Sequence, residues 1–201
     1  QNVTVAAGET KTCVITNTKR AHIIIVKDVI GNPDPTDFTF HNNFGNENPD
    51  TFMLDEDNNG DLPSSRNFEV LPATYSVSED VPAGWDLTSA TCDDGSDPAS
   101  IGLTAGETVI CTFTNQKDAF IIVEKQTDPD GDPQVFDFDL SYGDGDADLS
   151  DGQTDNSGDL DPGTYSVAEN TPAGWDLESA VCSDGSSPAS VTARAQAYMV
   201  K

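Results

Sequence analysis

Tyr75-Ser76-Val77-Ser78-Glu79-Asp80-Val81-Pro82-Ala83-Gly84-Trp85 recurs 90 residues later as Tyr165-Ser166-Val167-Ala168-Glu169-Asn170-Thr171-Pro172-Ala173-Gly174-Trp175. In each copy Tyr, Val and Glu alternate with small or polar residues, the period of a strand with one face buried, and Pro-Ala-Gly then turns the chain. A repeat of this length in 201 residues implies two domains of about 100 residues each.

Working outward, Cys92 recurs as Cys182 at the same offset, while Ile23-Ile24-Ile25-Val26-Lys27 matches Ile121-Ile122-Val123-Glu124-Lys125 at an offset of 98. The second copy is therefore eight residues shorter between these blocks, in the region where the first carries Phe52-Met53-Leu54 and an acidic run. Such a difference suits a surface loop or hairpin. The segment from Val5 to Asn17 matches the segment from Leu103 to Asn115, again 98 residues apart. It reads as the closing strand of a repeat whose body is absent. The second copy has the complementary defect, because after Ser190 it continues without a Gly-Glu-Thr turn, a Cys or a Thr-Asn.

The expected organisation is a donor strand segment at 1–20, a complete β-sandwich at 21–117, a β-sandwich lacking its last strand at 118–190 and a tail at 191–201. An open edge over a buried face requires a partner strand. Donation of 1–20 by a neighbouring copy is the first expectation, and head-to-tail exchange of that kind builds a filament. Two alternatives remain open: a window on a longer tandem array, or residues 191–201 forming the last strand with a degenerate sequence.

Cysteine spacing agrees with this organisation. Cys92 and Cys111 lie within one complete domain and are expected to pair, contributing about 3 kcal/mol through loop closure. Cys182 corresponds to Cys92 and Cys13 to Cys111, so an intersubunit Cys182–Cys13 disulfide is expected, in an oxidising extracellular setting. Zinc is disfavoured, since His22 and His41 show no ligand spacing and no Cys-x-x-Cys occurs.

Composition narrows the function. Nine Lys and Arg stand against 36 Asp and Glu, a formal charge of −27, which excludes nucleic acid and anionic membrane surfaces as partners. No apolar run approaches the roughly 18 residues of a membrane span, so no membrane insertion is expected. The Gly and Pro content, 16 and 12 residues, matches a turn-rich all-β chain.

Strand phase places polar residues among the apolar ones. Ile23, Ile25 and Lys27 share a face; so do Tyr75, Val77 and Glu79, and Cys111, Phe113 and Asn115. In the second copy Ile121, Val123 and Lys125 share one, as do Tyr165, Val167 and Glu169, and the matching third set is Cys13, Ile15 and Asn17.

With these residues the chain resembles the prealbumin-like domains of Gram-positive pilins and collagen-adhesin B regions (SpaA-like, CnaB-like). Their glutamate box reads Tyr-x-Leu-x-Glu, a short spacer, then Pro-x-Gly-Tyr; here Trp85 and Trp175 take the final position. The resemblance implies two tandem antiparallel β-sandwich domains of prealbumin-like, Ig-like type. It also implies isopeptide bonds, with Lys27, Glu79 and Asn115 as one set, and Lys125 and Glu169 with Asn17 of the next subunit as the other. Burial would leave the lysine amine neutral and nucleophilic, and would leave the glutamate able to shuttle the proton as ammonia departs. A buried, unreacted ionic triad is the alternative.

Asp55, Asp57, Asn59 and Asp61, with Gly60, show the spacing of a calcium loop, although Arg66 stands where an EF-hand places its bidentate Glu. Asp128, Asp130 and Asp132 form a second candidate metal cluster, and Asp144, Asp146 and Asp148 a third, for which a solvated acidic face is the competing reading. Calcium is the one cofactor expected.

The function expected is that of a structural, non-enzymatic subunit of an extracellular filament or pilus-like fibre at the cell surface. Its main partners would be other copies of itself, joined head to tail with covalent crosslinks, with cell-surface or matrix contacts as further partners. The alternative is a tandem-repeat stalk segment of a large secreted surface adhesin. A binding module built on Trp85 and Trp175 is less favoured, because both recur with the fold.

Overall fold

The computed structural model describes residues 2–31, 34–45, 47–57, 60–194 and, as backbone alone, 197–200. Asn59 of the expected calcium loop lies outside the described residues. Two hydrophobic cores divide the chain, one running from Ala21 to Phe113 and the other from Ala119 to Ala193. No helix among the described residues is long and apolar enough to cross a membrane.

The first domain contains β1 (Ala21–Ile30), β2 (Phe38–Asn42), β3 (Thr51–Leu54), β4 (Ser65–Val70), β5 (Thr74–Tyr75), β6 (Val77–Asp80), β7 (Trp85–Cys92), β8 (Ile101–Gly102) and β9 (Thr108–Lys117). One sheet has the order β4-β1-β9-β7, another β3-β2-β6, and β5 pairs with β8. Burial alternates along β1 and β9, as their sequences require. Aromatic residues bridge the two larger sheets: Phe40 on β2 meets Phe113 on β9 edge to face at 5.2 Å, and Phe38 meets Trp85 at 5.2 Å. Each such pair adds about 1 kcal/mol beyond its buried area.

The strand carrying the glutamate box is interrupted. Tyr75 ends β5 and Val77 begins β6, so the chain changes partner at Ser76. The Ser76 N–H instead donates to the Asn43 side-chain oxygen Oδ1 at 2.8 Å. The Tyr75 hydroxyl donates to the Leu71 carbonyl at 2.8 Å, and the Tyr165 hydroxyl donates to that of Asp161 at the same distance. The repeated Tyr thus closes the same corner in both domains.

The second domain contains β10 (Phe120–Glu124), β11 (Phe136–Leu140), β12 (Asp146–Leu149), β13 (Thr154–Asn156), β14 (Gly163–Tyr165), β15 (Val167–Asn170), β16 (Val191–Ala193) and β17 (Ala197–Val200). Its pairings β12-β11-β15 and β14-β16 repeat β3-β2-β6 and β5-β8. Phe136 and Trp175 meet at 5.1 Å, as their counterparts do.

The boundary expected at residue 190 falls inside this pairing network. Val191 and Ala193 are buried, and β17 lies parallel to β10, with Phe120 opposite Ala197 and Val123 opposite Val200. Residues expected as a tail therefore take the lanes of β8 and of the first part of β9. The unpaired edge of β10 draws the nearest available strand, even a degenerate one. The lane is filled only in part. β1 pairs with β9 over nine positions, from His22 opposite Thr108 to Ile30 opposite Gln116, whereas β10 and β17 share four. By this register Val200 stands level with Cys111. Residues 175–182, the counterpart of β7, form no strand, because the long neighbour that β9 gives β7 has no equivalent there.

Residues 2–20 form no strand either, and Val14 and Ile15 are 84 % and 86 % exposed. One local feature survives. The Glu9 N–H donates to the Ala6 carbonyl and the Glu9 carboxylate accepts from the Ala6 N–H, as Glu107 does with Thr104. Gly8 and Gly106 both adopt φ +80°, a conformation that glycine reaches without strain.

Candidate functional site

Lys27 occupies the fourth inward position of β1, Glu79 points inward from β6 and Asn115 from β9, so three strands of two facing sheets converge. Parallel pairing brings Val29 opposite Asn115 and Lys27 opposite Phe113. The Lys27 Nζ donates to Asn115 Oδ1 at 2.6 Å, to the Phe113 carbonyl at 3.1 Å and to the Asp28 carbonyl at 2.9 Å. It lies 3.5 Å from Glu79 Oε1, with both side chains fully buried.

Burial pushes the Lys27 amine below its ordinary pKa, against the opposing pull of Glu79. Burial also raises the Glu79 carboxyl, against the pull of Lys27. Both Glu79 oxygens and Asn115 Nδ2 are buried without a hydrogen-bond partner. Such atoms are costly to leave unsatisfied. The arrangement holds an amine against an amide carbonyl, with a carboxyl alongside, in surroundings that favour the neutral forms of amine and acid.

The sequence pattern did not single out the aromatic floor of this site. The Lys27 Nζ sits 4.1 Å from the centroid of the Phe38 ring, and the Lys125 Nζ sits 3.9 Å from that of Phe136. The available signal was the Phe-x-Phe pair, Phe38 with Phe40 and Phe136 with Phe138, which recurs at the same offset as the lysines.

In the second domain Lys125 pairs with Glu169 at 2.9 Å, and their side chains are 12 % and 8 % exposed. Both line an open cavity of about 580 Å³, together with Val123, Phe138, Val167 and Trp175. This is the space that Phe113 and Asn115 fill in the first domain. Asn17, expected there from another subunit, is exposed in the single chain.

Cys92 and Cys111 face each other in the β7–β9 register and form a disulfide. Cys13 is free and exposed; Cys182 is free and buried.

Among the acidic clusters, carboxylate oxygens of Asp55, Asp57 and Asp61 lie within 4.8 Å of one another, so this group could hold a metal ion. Burial and the neighbouring Asp57 and Asp61 raise the Asp55 pKa to about 6. Asp128, Asp130 and Asp132 do not converge in this way among the described residues, nor do Asp144, Asp146 and Asp148. The reason in the former is local: Asp132 accepts the Gln134 N–H, and Asp151 accepts the N–H groups of Thr127 and Gly131, so backbone donors organise the loop.

The family model of the prealbumin-like fold domain (SpaA_4) matches residues 23–117 and again 121–200. No curated protein matches it. Among solved structures, the major pilin from Streptococcus pyogenes is similar at 17 % identity over 92 % of this chain and 97 % of its own, with a TM-score of 0.30. The Bacillus anthracis TIE protein is similar at 16 % identity over 90 % of this chain, with a TM-score of 0.38, and the chain spans 33 % of its length. A streptococcal ancillary pilin gives 16 % identity over 88 % of this chain and 59 % of its own, with a TM-score of 0.35. Two matches of the family model, each coinciding with one of the two cores, establish that the chain belongs to the prealbumin-like fold domain family and carries that domain twice.

Proposed function

We propose that the chain is a structural, non-enzymatic subunit of an extracellular, cell-surface fibre, in which the N-terminal segment of one copy completes the second domain of the next. The observation that carries this reading is the open cavity beside Lys125 and Glu169, together with a segment of matching pattern that is exposed elsewhere. Placed in the register of β9, that segment brings Cys13 to the level of Cys111, Ile15 to that of Phe113 and Asn17 to that of Asn115. Cys13 then faces Cys182, Ile15 fills the cavity, and Asn17 reaches Lys125 and Glu169. Because Cys13 and Val200 share a level, the incoming strand displaces β17 from the lane.

Covalent closure follows the same logic in both domains. The neutral amine of Lys27 attacks the Asn115 side-chain carbonyl carbon, and a C–N bond forms as the original amide C–N bond breaks. Glu79 passes the amine's proton to the departing nitrogen, and ammonia is released. The product is a neutral amide in place of a buried amine, which supports the reaction energetically. Lys125, Glu169 and the donated Asn17 form the corresponding intersubunit set.

Electrophoresis of the whole chain tests the reading. A ladder that reductant collapses is expected from Cys13–Cys182 links, and rungs that survive boiling detergent with reductant are expected from the lysine–asparagine links. Intact mass should be lower by one ammonia for each such bond. Monomers with free Cys13 and Cys182 would overturn strand donation. The tandem-repeat stalk reading is favoured by the two-residue connection between β9 and β10, and it predicts a far longer native polypeptide in which a preceding repeat supplies the strand.

A further inference from the structure

We propose that the carboxylates of Asp55, Asp57 and Asp61 bind one calcium ion beside the end of β3 in the first domain. Asp55 follows directly on β3, and its N–H donates to the Pro63 carbonyl at 3.3 Å, which draws the two ends of the loop together. Next to this neck the Lys27 N–H donates to the Ser64 carbonyl at 2.9 Å, and the Glu56 carboxylate accepts the Val29 N–H. The loop is therefore fastened to β1 on both sides of its mouth.

Inside it, Asp55 is 1 % exposed, yet its Oδ2 has no hydrogen-bond partner. A buried carboxylate oxygen without a donor is unfavourable, and two further carboxylates nearby add repulsion. A cation removes both costs. The donors are all oxygen, which selects a hard ion over zinc or copper. Their mutual separations, within 4.8 Å, fit a sphere of about 2.4 Å radius, the calcium–oxygen distance. The shorter second domain offers no such group among its described residues, so one site per chain is expected.

Calorimetric titration of the whole chain, stripped with a chelator and held at about 0.15 M salt to screen diffuse binding, decides the matter. One saturable equivalent of calcium is expected, with magnesium at least about tenfold weaker because it resists dehydration. Asp57→Asn, at a half-buried position, and Asp61→Asn, at an exposed one, should each weaken calcium by at least about tenfold, while Asp130→Asn leaves it unchanged. Calcium should also raise the melting temperature reported by Trp85 in a Trp175→Phe chain. Absence of a saturable equivalent overturns the proposal. So does wild-type affinity in both loop variants, as a proton shared among the three carboxyls would give, or an equal loss in Asp130→Asn.

Discussion

The two domains hold the same lysine over the same aromatic ring and the same Tyr-closed corner, yet they differ in how their last lane is filled. In the first, β9 runs ten residues, carries Asn115 to Lys27, and gives β7 a partner along its length. In the second, four residues lie in that lane, the segment 175–182 has no ladder, and a cavity opens beside Lys125. Conserving one sheet core while shortening one strand converts a closed polar triad into an open ion pair. The fold thus tolerates shortening of an internal strand, but loses with it both the buried site and the neighbouring strand that depended on it.

The largest effect should separate the two lysines. Lys27→Ala strands Glu79 and Asn115 in a fully buried site and should destabilise the first domain by about 3–5 kcal/mol. Lys125→Ala, at the rim of a cavity that water can enter, should cost the second domain far less. Urea unfolding followed through Trp85 or Trp175, with the other replaced by Phe, resolves the two; equal losses would break the comparison. Next, reducing Cys92–Cys111 should cost the first domain about 3 kcal/mol, whereas Cys13→Ser, at a free and exposed cysteine, should leave monomer unfolding unchanged and remove only the reductant-sensitive ladder. Tyr75→Phe and Tyr165→Phe should be alike, each near 1 kcal/mol for one lost hydrogen bond, and a marked inequality would show that the corners are not equivalent.

The smallest effect concerns acid. Backbone N–H groups of Gly131 and Thr127 hold the Asp151 carboxyl below the ordinary carboxylate range. The unfolded chain therefore binds the extra proton first as pH falls, so the stabilisation is complete above the unfolded pKa of about 3.9 and is lost as pH drops through the lower folded value. Loop amides of residues 127–131 should broaden or shift over that window in NMR spectra, and Asp151→Asn should remove the transition.

Much of this architecture was legible in the sequence because alternation and repetition are local signals. Ile23, Ile25 and Lys27, and likewise Cys111, Phe113 and Asn115, are inward as their phase required. The Cys92–Cys111 pairing follows from the same repeat. What escaped was non-local. Nothing in Tyr75-Ser76-Val77 announces that the strand changes sheets at Ser76, since the alternation continues unbroken through the switch. The strand formed by 197–200 matches one of the open alternatives, not the first expectation, and it ranked low for a different reason. Its residues lack the motif of β9, and only the vacancy beside β10, a property of the assembled sheet, draws them in. The three Asp clusters look equivalent as spacing, but side-chain convergence depends on which backbone donors each loop provides, and the 127–132 loop supplies its own through Asp151.

The parallel pairing of β1 with β9 has a consequence under load. The first and last strands of the domain lie side by side and point the same way, so tension applied at the two ends pulls them past each other lengthwise. All nine paired positions then resist at once, as a shear clamp, instead of opening one by one like a zip. Two residues separate β9 from β10, so the same tension enters the second domain at the start of its own parallel pair, where four positions share it. In the free chain the weaker clamp yields first, and a lysine–asparagine crosslink between β1 and β9 would lie across the stronger one, leaving the first domain nearly inextensible.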